Sequence, residues 1–155
     1  MESDFDLELN KSVEIFKGNI ELEDKEWKIG LIVGASGTGK TTIAKQIFNL
    51  NLDILEYKSK SVIDDMPKNK NVDEIIKMFY SVGFGSAPNW LKPYNVLSNG
   101  EKMRVDLANM LLSERESIVF DEFTSVVDRE VAKTSCIAIN KALENSDKKF
   151  IAISC

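Results

Sequence analysis

The chain has 155 residues, a length that suits one domain, and its 20 lysines and arginines against 25 aspartates and glutamates give a formal net charge of −5. This acidic balance argues against the broad basic surface that non-specific nucleic-acid binding requires. The sequence contains no histidine, which excludes a histidine general base and a histidine-ligated zinc site. Hydrophobic residues make up 43% of the chain, enough for a packed core.

The targeting and redox features of the sequence indicate a cytoplasmic protein. No apolar run approaches the roughly 18 residues needed to cross a bilayer, and the acidic N-terminus lacks the apolar segment of a secretory signal. The two cysteines, Cys136 and Cys155, do not make a disulfide framework. We therefore expect a reduced setting and no membrane span.

The first half of the chain reads mainly as strands. Two short strands, Phe5–Leu9 and Val13–Phe16, are predicted first, and the apolar run Lys28–Val33 is typical of a parallel strand buried on both faces. A helix begins near Lys40, where apolar residues recur on one face. Two further short strands are predicted after that helix, at Ile54–Tyr57 and Ser61–Ile63.

The second half alternates helices with strands. Helices are predicted over Val72–Val82, over Asn99–Leu112 and after an N-cap at Asp128, and the proline- and glycine-rich segment 83–94 is predicted to be a loop. Buried strands are predicted at Ser117–Phe120 and Phe150–Ser154. This alternation predicts an α/β fold with a largely parallel sheet flanked by helices.

A phosphate-binding loop is the strongest functional signal. The pattern G-x-x-x-x-G-K-[ST] lies between a predicted strand and a predicted helix, which is the context expected of a P-loop. Its glycines let backbone N–H groups surround a phosphate, the lysine reaches the β- and γ-phosphates, and the threonine hydroxyl is a ligand for Mg²⁺. The residues are Gly34, Ala35, Ser36, Gly37, Thr38, Gly39, Lys40 and Thr41, followed by Thr42.

Two acidic residues follow a buried strand. Asp121, at the end of Ser117–Phe120, is placed to hold Mg²⁺ in the Walker B role, and Glu122 could orient or deprotonate a water. Alone, an Asp-Glu pair after a strand is more often the polar start of a loop. The P-loop in the same small domain makes the functional interpretation the stronger one.

A third motif, Leu97-Ser98-Asn99-Gly100-Glu101, precedes a predicted helix. Ser98 and Glu101 form the pattern of a capping box, S-x-x-E, and a capped helix N-terminus is also an anion site. The motif resembles the Leu-Ser-Gly-Gly-Gln signature of ATP-binding-cassette (ABC) ATPases, and Ser125–Asp128 resembles the D-loop of that family. Four motifs in family order, from Gly34 to Asp128, carry the resemblance over most of the chain.

The resemblance implies a P-loop ATPase that binds ATP and Mg²⁺ and forms a nucleotide-sandwich dimer, with itself or with a related ATPase. In that family the signature of one subunit binds the γ-phosphate held by another, so Ser98 and Gly100 would act in trans, with Lys40 and Glu122 catalytic. The short N-terminal strands would form an antiparallel element. Magnesium would be held by Thr41 and Asp121. The family also has a glutamine at the start of its helical subdomain, which is missing here, and the subdomain itself would be reduced. Asp64 or Asp65 would take the place of that glutamine as a magnesium contact, or else these two residues are the solvated start of a loop.

The resemblance also implies an aromatic platform for adenine, with Phe16 as the first candidate and Trp27 as the second. The last strand resembles the one that leads to the family's switch histidine. We therefore expect one domain over residues 1–155 that is C-terminally incomplete, or a protein that lacks the switch; either way, slow turnover is expected. Trp90–Tyr94 and Phe123–Arg129 weakly resemble an ABC subgroup associated with acetyltransferase domains.

Three functions remain open at this point. The first is an ABC-type ATPase, and the second is a non-hydrolytic regulatory module that associates with a partner on binding ATP. A small-molecule P-loop kinase comes last, because it leaves the motifs at Leu97–Glu101 and Ser125–Asp128 unexplained. A nucleic acid or another protein is possible as the partner.

Overall fold

The computed structural model describes residues 26–48, 55–123 and 127–154. Three strands form a parallel sheet in the order β1-β3-β2, with β1 at Ile29–Val33, β2 at Ser117–Phe120 and β3 at Lys149–Ser154. The register pairs Leu31 of β1 and Phe120 of β2 with Ala152 of the central strand. The predicted α/β fold with a parallel sheet and flanking helices is confirmed. The predicted N-terminal strands lie outside the described residues.

Five α-helices accompany the sheet in the described ranges, and none of them is long and apolar enough to cross a membrane. Each of the predicted helices is present, and the loop predicted over 83–94 contains one turn of helix. Their bounds are α1 at Lys40–Ile47, α2 at Val72–Ser81, α3 at Ala87–Trp90, α4 at Asn99–Leu112 and α5 at Arg129–Glu144.

The end of α2 shows how a local signal stops a helix. Gly83 has φ +78°, a left-handed conformation that glycine adopts without a Cβ penalty. The Phe84 N–H then donates to the Phe79 carbonyl at 2.7 Å, and both side chains are fully buried. Gly83 therefore follows the end of α2 where the predicted loop over 83–94 begins, and it turns the chain so that Phe84 packs in the core.

The main core lies between α4, α5 and the sheet, and α2 packs against both of these helices. Helix α4 buries an apolar face in this core, with Leu107 fully enclosed. The core extends from Phe79 of α2 to Phe150 of β3. Helix α4 therefore joins the small helical region to the sheet.

Three predictions about strands are wrong. Residues 62–65 form a turn of 3₁₀-helix, Val62–Asp65, and not a strand, and no strand begins in the described residues 55–61. Val62 N–H donates to the Lys92 carbonyl at 2.9 Å, so this segment pairs with a loop and not with a strand. Strand β1 is not buried on both faces: Ile29, Leu31 and Val33 are 52–66% exposed.

Candidate functional site

The P-loop connects β1 to α1. Gly37 and Gly39 have φ +79° and +80°, which L-residues rarely adopt, so glycine is required at both positions. Gly39 is the N-cap of α1, and no acidic side chain lies in the first turn of that helix. The N-terminus of α1 therefore presents the positive end of the helix dipole and its backbone N–H groups to an anion.

Lys40 folds back over the loop that precedes it. Its Nζ donates to the carbonyls of Gly34 and Ala35 at 2.7 and 2.8 Å. A Cβ on Gly34 would lie 3.4 Å from the Lys40 side chain and 3.2 Å from Thr38 Oγ1. The glycine at position 34 therefore leaves room for the lysine to lie along the loop, with its ammonium group beside the cradle.

Thr41 and Asp121 meet across the sheet. The Thr41 hydroxyl donates to Asp121 Oδ2 at 2.6 Å, although the two residues follow β1 and β2, which are separated by β3. Both come after the carboxyl ends of parallel strands, where such folds bind ligands. The pair offers hard oxygen donors, which suit Mg²⁺. Among the described residues no three acidic or cysteine side chains cluster as a metal site.

Glu122 has an unusual backbone. Its φ of +51° is the only positive value at a non-glycine residue in the described ranges, and its N–H donates to Asp121 Oδ1 at 3.0 Å. The next residue, Phe123, donates its N–H to the Ile153 carbonyl of β3 at 3.0 Å and is buried. Burial of Phe123 offsets the strain of the left-handed turn, which holds Glu122 at the mouth of the site.

A cavity of about 330 Å³ gathers most of the predicted residues. The structure adds Ile153 and Ser154 of β3, which the sequence analysis did not single out because only the strand order brings them here. The lining residues are Ser36, Gly37, Thr38, Gly39, Lys40, Thr41, Thr42, Asp121, Glu122, Ile153 and Ser154. Ser98 and Gly100 do not line this cavity.

The segment Leu97–Glu101, which resembles the ABC signature and is called the signature segment below, forms the capping box predicted from its sequence. Ser98 is the N-cap of α4, its N–H and hydroxyl donate to Glu101 Oε2 at 2.9 and 2.8 Å, and the Glu101 N–H donates to Ser98 Oγ at 3.3 Å. These two donors of Ser98 lower the pKa of Glu101. A Cβ on Gly100 would meet only the Val127 side chain at 3.9 Å, so nothing in the described residues requires glycine there.

Three sequence-predicted site residues have different outcomes. Asp64 does not line the cavity: its carboxylate accepts a hydrogen bond from the Ser61 hydroxyl, so its role as a magnesium ligand stays a prediction that these contacts do not support. Phe16 lies outside the described residues. Trp27 packs edge-on against Phe48 at 6.0 Å, and Lys149 Nζ lies 4.7 Å from its ring centroid.

A buried polar cluster behind α4 was not predicted. Tyr57 and Tyr94 stack with ring centroids 3.9 Å apart, and the Tyr94 hydroxyl donates to Asp106 Oδ2 at 2.8 Å. Burial raises the pKa of Asp106, and burial together with the Asp106 charge raises the pKa of both tyrosines. Asp106 Oδ1 and the Tyr57 hydroxyl are buried without a hydrogen-bond partner among the described residues.

A second cavity of about 300 Å³ lies beside the first. It shares Asp121 and Glu122 with the P-loop cavity and is bounded on the other side by α4, including Asn99 and Asp106. Through its first two turns, helix α4 therefore lines a cavity together with Asp121 and Glu122 of its own chain. Ser98 and Gly100 do not line this cavity either.

Solved structures share the overall fold of this chain. The chain superimposes on the ATP-binding cassette MJ0796, solved as a post-hydrolysis dimer with ADP and Pi, with a TM-score of 0.68 and 17% identity, covering 88% of this chain and 78% of that one. It also matches an ABC transporter ATP-binding protein from Pyrococcus furiosus, with a TM-score of 0.66 and 22% identity, covering 83% and 78% of the two chains. The chain has the fold of an ABC-type ATPase domain.

The relatives found by sequence are also named as transporter ATP-binding proteins. The chain is 27% identical to the energy-coupling factor transporter ATP-binding protein EcfA1 of Mycoplasmopsis synoviae, over 88% of this chain and 65% of that protein. It is 26% identical to the protein of that name in Staphylococcus aureus, over 79% of this chain and 60% of that protein. The chain thus spans about three-fifths of the length of these relatives. No protein-family model matches it.

Proposed function

We propose that this chain binds Mg-ATP at the P-loop and hydrolyses it within a dimer that sandwiches two nucleotides. The observation that carries the proposal is the hydrogen bond between Thr41 and Asp121, which brings the P-loop and the aspartate proposed for the Walker B role into one cavity with Lys40. The relatives named as ATP-binding proteins and the dimeric MJ0796 structure support it. The proposal places this one nucleotide-binding domain, residues 1–155, in the cytoplasm.

The chain's own residues divide the work. The N–H groups of the P-loop and the Lys40 ammonium bind and orient the phosphates, while Thr41 and Asp121 would hold Mg²⁺. The metal, when bound, neutralises charge on the phosphate oxygens. Glu122 lines the cavity and would accept the proton of the attacking water. Ser98 and the Gly100 N–H, which do not line their own cavity, would complete the site of the second subunit.

The proposal is tested by Glu122→Gln. This change removes the negative charge and the base but leaves the phosphate contacts, so the dimer should accumulate with Mg-ATP. Sedimentation velocity with Mg-ATP and with Mg-ADP is the measurement, and Glu116→Gln, at an exposed position before β2, is the control. A Glu122→Gln protein that stays monomeric at every ATP concentration would contradict the sandwich.

A regulatory module that binds ATP without turnover is the second candidate. It is favoured by the absence of histidine from the 155 residues, since these residues cannot supply an imidazole to the γ-phosphate. Loss of one preorganised donor typically costs about 10²–10³ in rate. Phosphate release by the wild-type chain, compared with Glu122→Gln, separates the two: slow release that this variant abolishes supports the ATPase, and identical background release supports the module.

Further features stay predictions. The acetyltransferase-associated subgroup rests only on the wording of Trp90–Tyr94 and Phe123–Arg129. A nucleic acid or another protein stays the predicted partner coupled to ATP. Phe16 remains the first candidate for the adenine platform.

A further inference from the structure

The two hydrogen-bond donors that Ser98 offers at the start of α4 are already occupied within the chain. Its hydroxyl and its backbone N–H both donate to the same atom, Glu101 Oε2, at 2.8 and 2.9 Å. A serine hydroxyl has a single proton to donate. While this arrangement persists, Ser98 has no hydroxyl proton for a phosphate of another subunit, and a carboxylate occupies the place of an anion.

A third donor holds that carboxylate in place. Asn89, in α3, donates its Nδ2 to the other oxygen, Glu101 Oε1, at 2.6 Å, and this bond is partly buried. The capping box at α2 has no such third donor among the described residues: Glu74 Oε2 accepts from the Asn71 N–H of its own box at 3.0 Å, and no side chain of another segment donates to it there. Both helices begin with a capping box, but among the described residues only the carboxylate of the α4 box also accepts a hydrogen bond from another segment, through Asn89.

We propose that Glu101 is a built-in competitor for the phosphate at the signature segment, and that Asn89 is the positioning residue that latches it onto Ser98. The inference rests on the proposed function, because it concerns the affinity of the sandwich dimer. In the latched state ATP-driven association must displace the Glu101 carboxylate from Ser98 or work against its charge. The positive charges of Lys92 and Arg104 act on Glu101 and offset part of that repulsion.

The charge is tested by Glu101→Gln in a Glu122→Gln background, with Mg-ATP and sedimentation velocity as readout. Glutamine keeps the capping box, because it also serves at the third helical position, but it removes the negative charge. The protein concentration at half-dimerisation should fall about fivefold, the difference expected between a hydrogen bond to a charged and to a neutral partner. The matched control is Glu74→Gln, which removes the same charge from the α2 box and should leave this concentration unchanged.

The latch is tested by Asn89→Ala in the same background. Loss of the 2.6 Å bond loosens the carboxylate from Ser98, so association should tighten about twofold to threefold. In the presence of Glu101→Gln the same change should have no further effect, because no negative charge remains for Asn89 to hold at Ser98. A merely structural role for Asn89 would add independently to the effect of Glu101→Gln.

The outcomes distinguish a failure of the roles proposed for Glu101 and Asn89 from a failure of the proposed function. If Glu122→Gln dimerises and Glu101→Gln behaves like Glu74→Gln, the competitor is overturned and the proposed function stands. If Glu101→Gln tightens the dimer and Asn89→Ala weakens it or adds to it, the latch is overturned. If none of these variants dimerises with Mg-ATP, the proposed function fails and the inference fails with it.

Discussion

At the scale of single residues, the cavity joins side chains whose roles follow from their contacts. Lys40 already lies along the loop, bonded to the Gly34 and Ala35 carbonyls, so binding a phosphate requires its ammonium only to exchange partners. Lys40→Ala should weaken Mg-ATP binding by about 1.5–3 kcal/mol, the range for a hydrogen bond to a charged group. Titration calorimetry measures it, with Lys45→Ala on the exposed side of α1 as the control. Equal Mg-ATP affinities for wild type and Lys40→Ala would show that Lys40 does not contact the nucleotide.

Asp106 gives a prediction on stability and pH. Burial raises its pKa, so the folded state holds a proton that the unfolded chain releases, and stability falls as pH rises from the ordinary aspartate value through the raised one. Asp106→Asn removes this dependence, retains an acceptor for Tyr94, and should raise the free energy of unfolding at pH 7 by about 1 kcal/mol. Urea unfolding between pH 4 and pH 8 is the measurement. Parallel curves for wild type and Asp106→Asn would show that the carboxylate carries no such cost.

At the scale of elements, α4 is tied down at both ends by residues distant in sequence. Asn89 reaches its capping box, and Lys148, just before β3, donates its Nζ to the Leu111 carbonyl at 2.9 Å and to the Ser113 carbonyl. Burial lowers the pKa of Lys148, and the nearby charge of Lys70 adds to this. The helix that carries the signature segment is therefore fixed relative to the central strand.

Lys148→Met tests the C-terminal tie. The change keeps the apolar stem but leaves the last carbonyls of α4 without their cation, so unfolding free energy should fall by about 1 kcal/mol. Thermal or urea unfolding measures it, and Lys133→Met, at an exposed position of α5 away from its last turn, is the control. A loss no larger than that of the control would mean that water replaces the lysine at no cost.

At the scale of the whole molecule, the parallel sheet sets the site by bringing three carboxyl ends to one edge. The P-loop follows β1, Asp121 follows β2, and Ser154 ends β3 between them. The signature segment belongs to α4 and lies outside that cavity, so the proposed active unit is larger than one chain.

Gly100→Ala tests this division between one chain and two. The structure has room for the added Cβ, 3.9 Å from Val127, so folding and ATP affinity should stay close to wild type. In the sandwich the methyl group would meet the phosphate approaching the Gly100 N–H. In the Glu122→Gln background the dimer should therefore weaken at least about tenfold by sedimentation, which corresponds to about 1.4 kcal/mol. Reduced ATP affinity of the monomer would argue against action in trans.

The P-loop, the capping box of α4 and the end of the helix predicted over Val72–Val82 could be predicted from the sequence. Each depends on residues within a few positions of one another, since a left-handed turn or an N-cap is a local property of the backbone. The pairing of Thr41 with Asp121, and the contacts of Asn89 and Asp106, were decided only by the tertiary structure. The strand Ser61–Ile63 failed for the same reason: β-branched residues favour a strand only where a partner strand is available, and Val62 pairs with Lys92 in a loop.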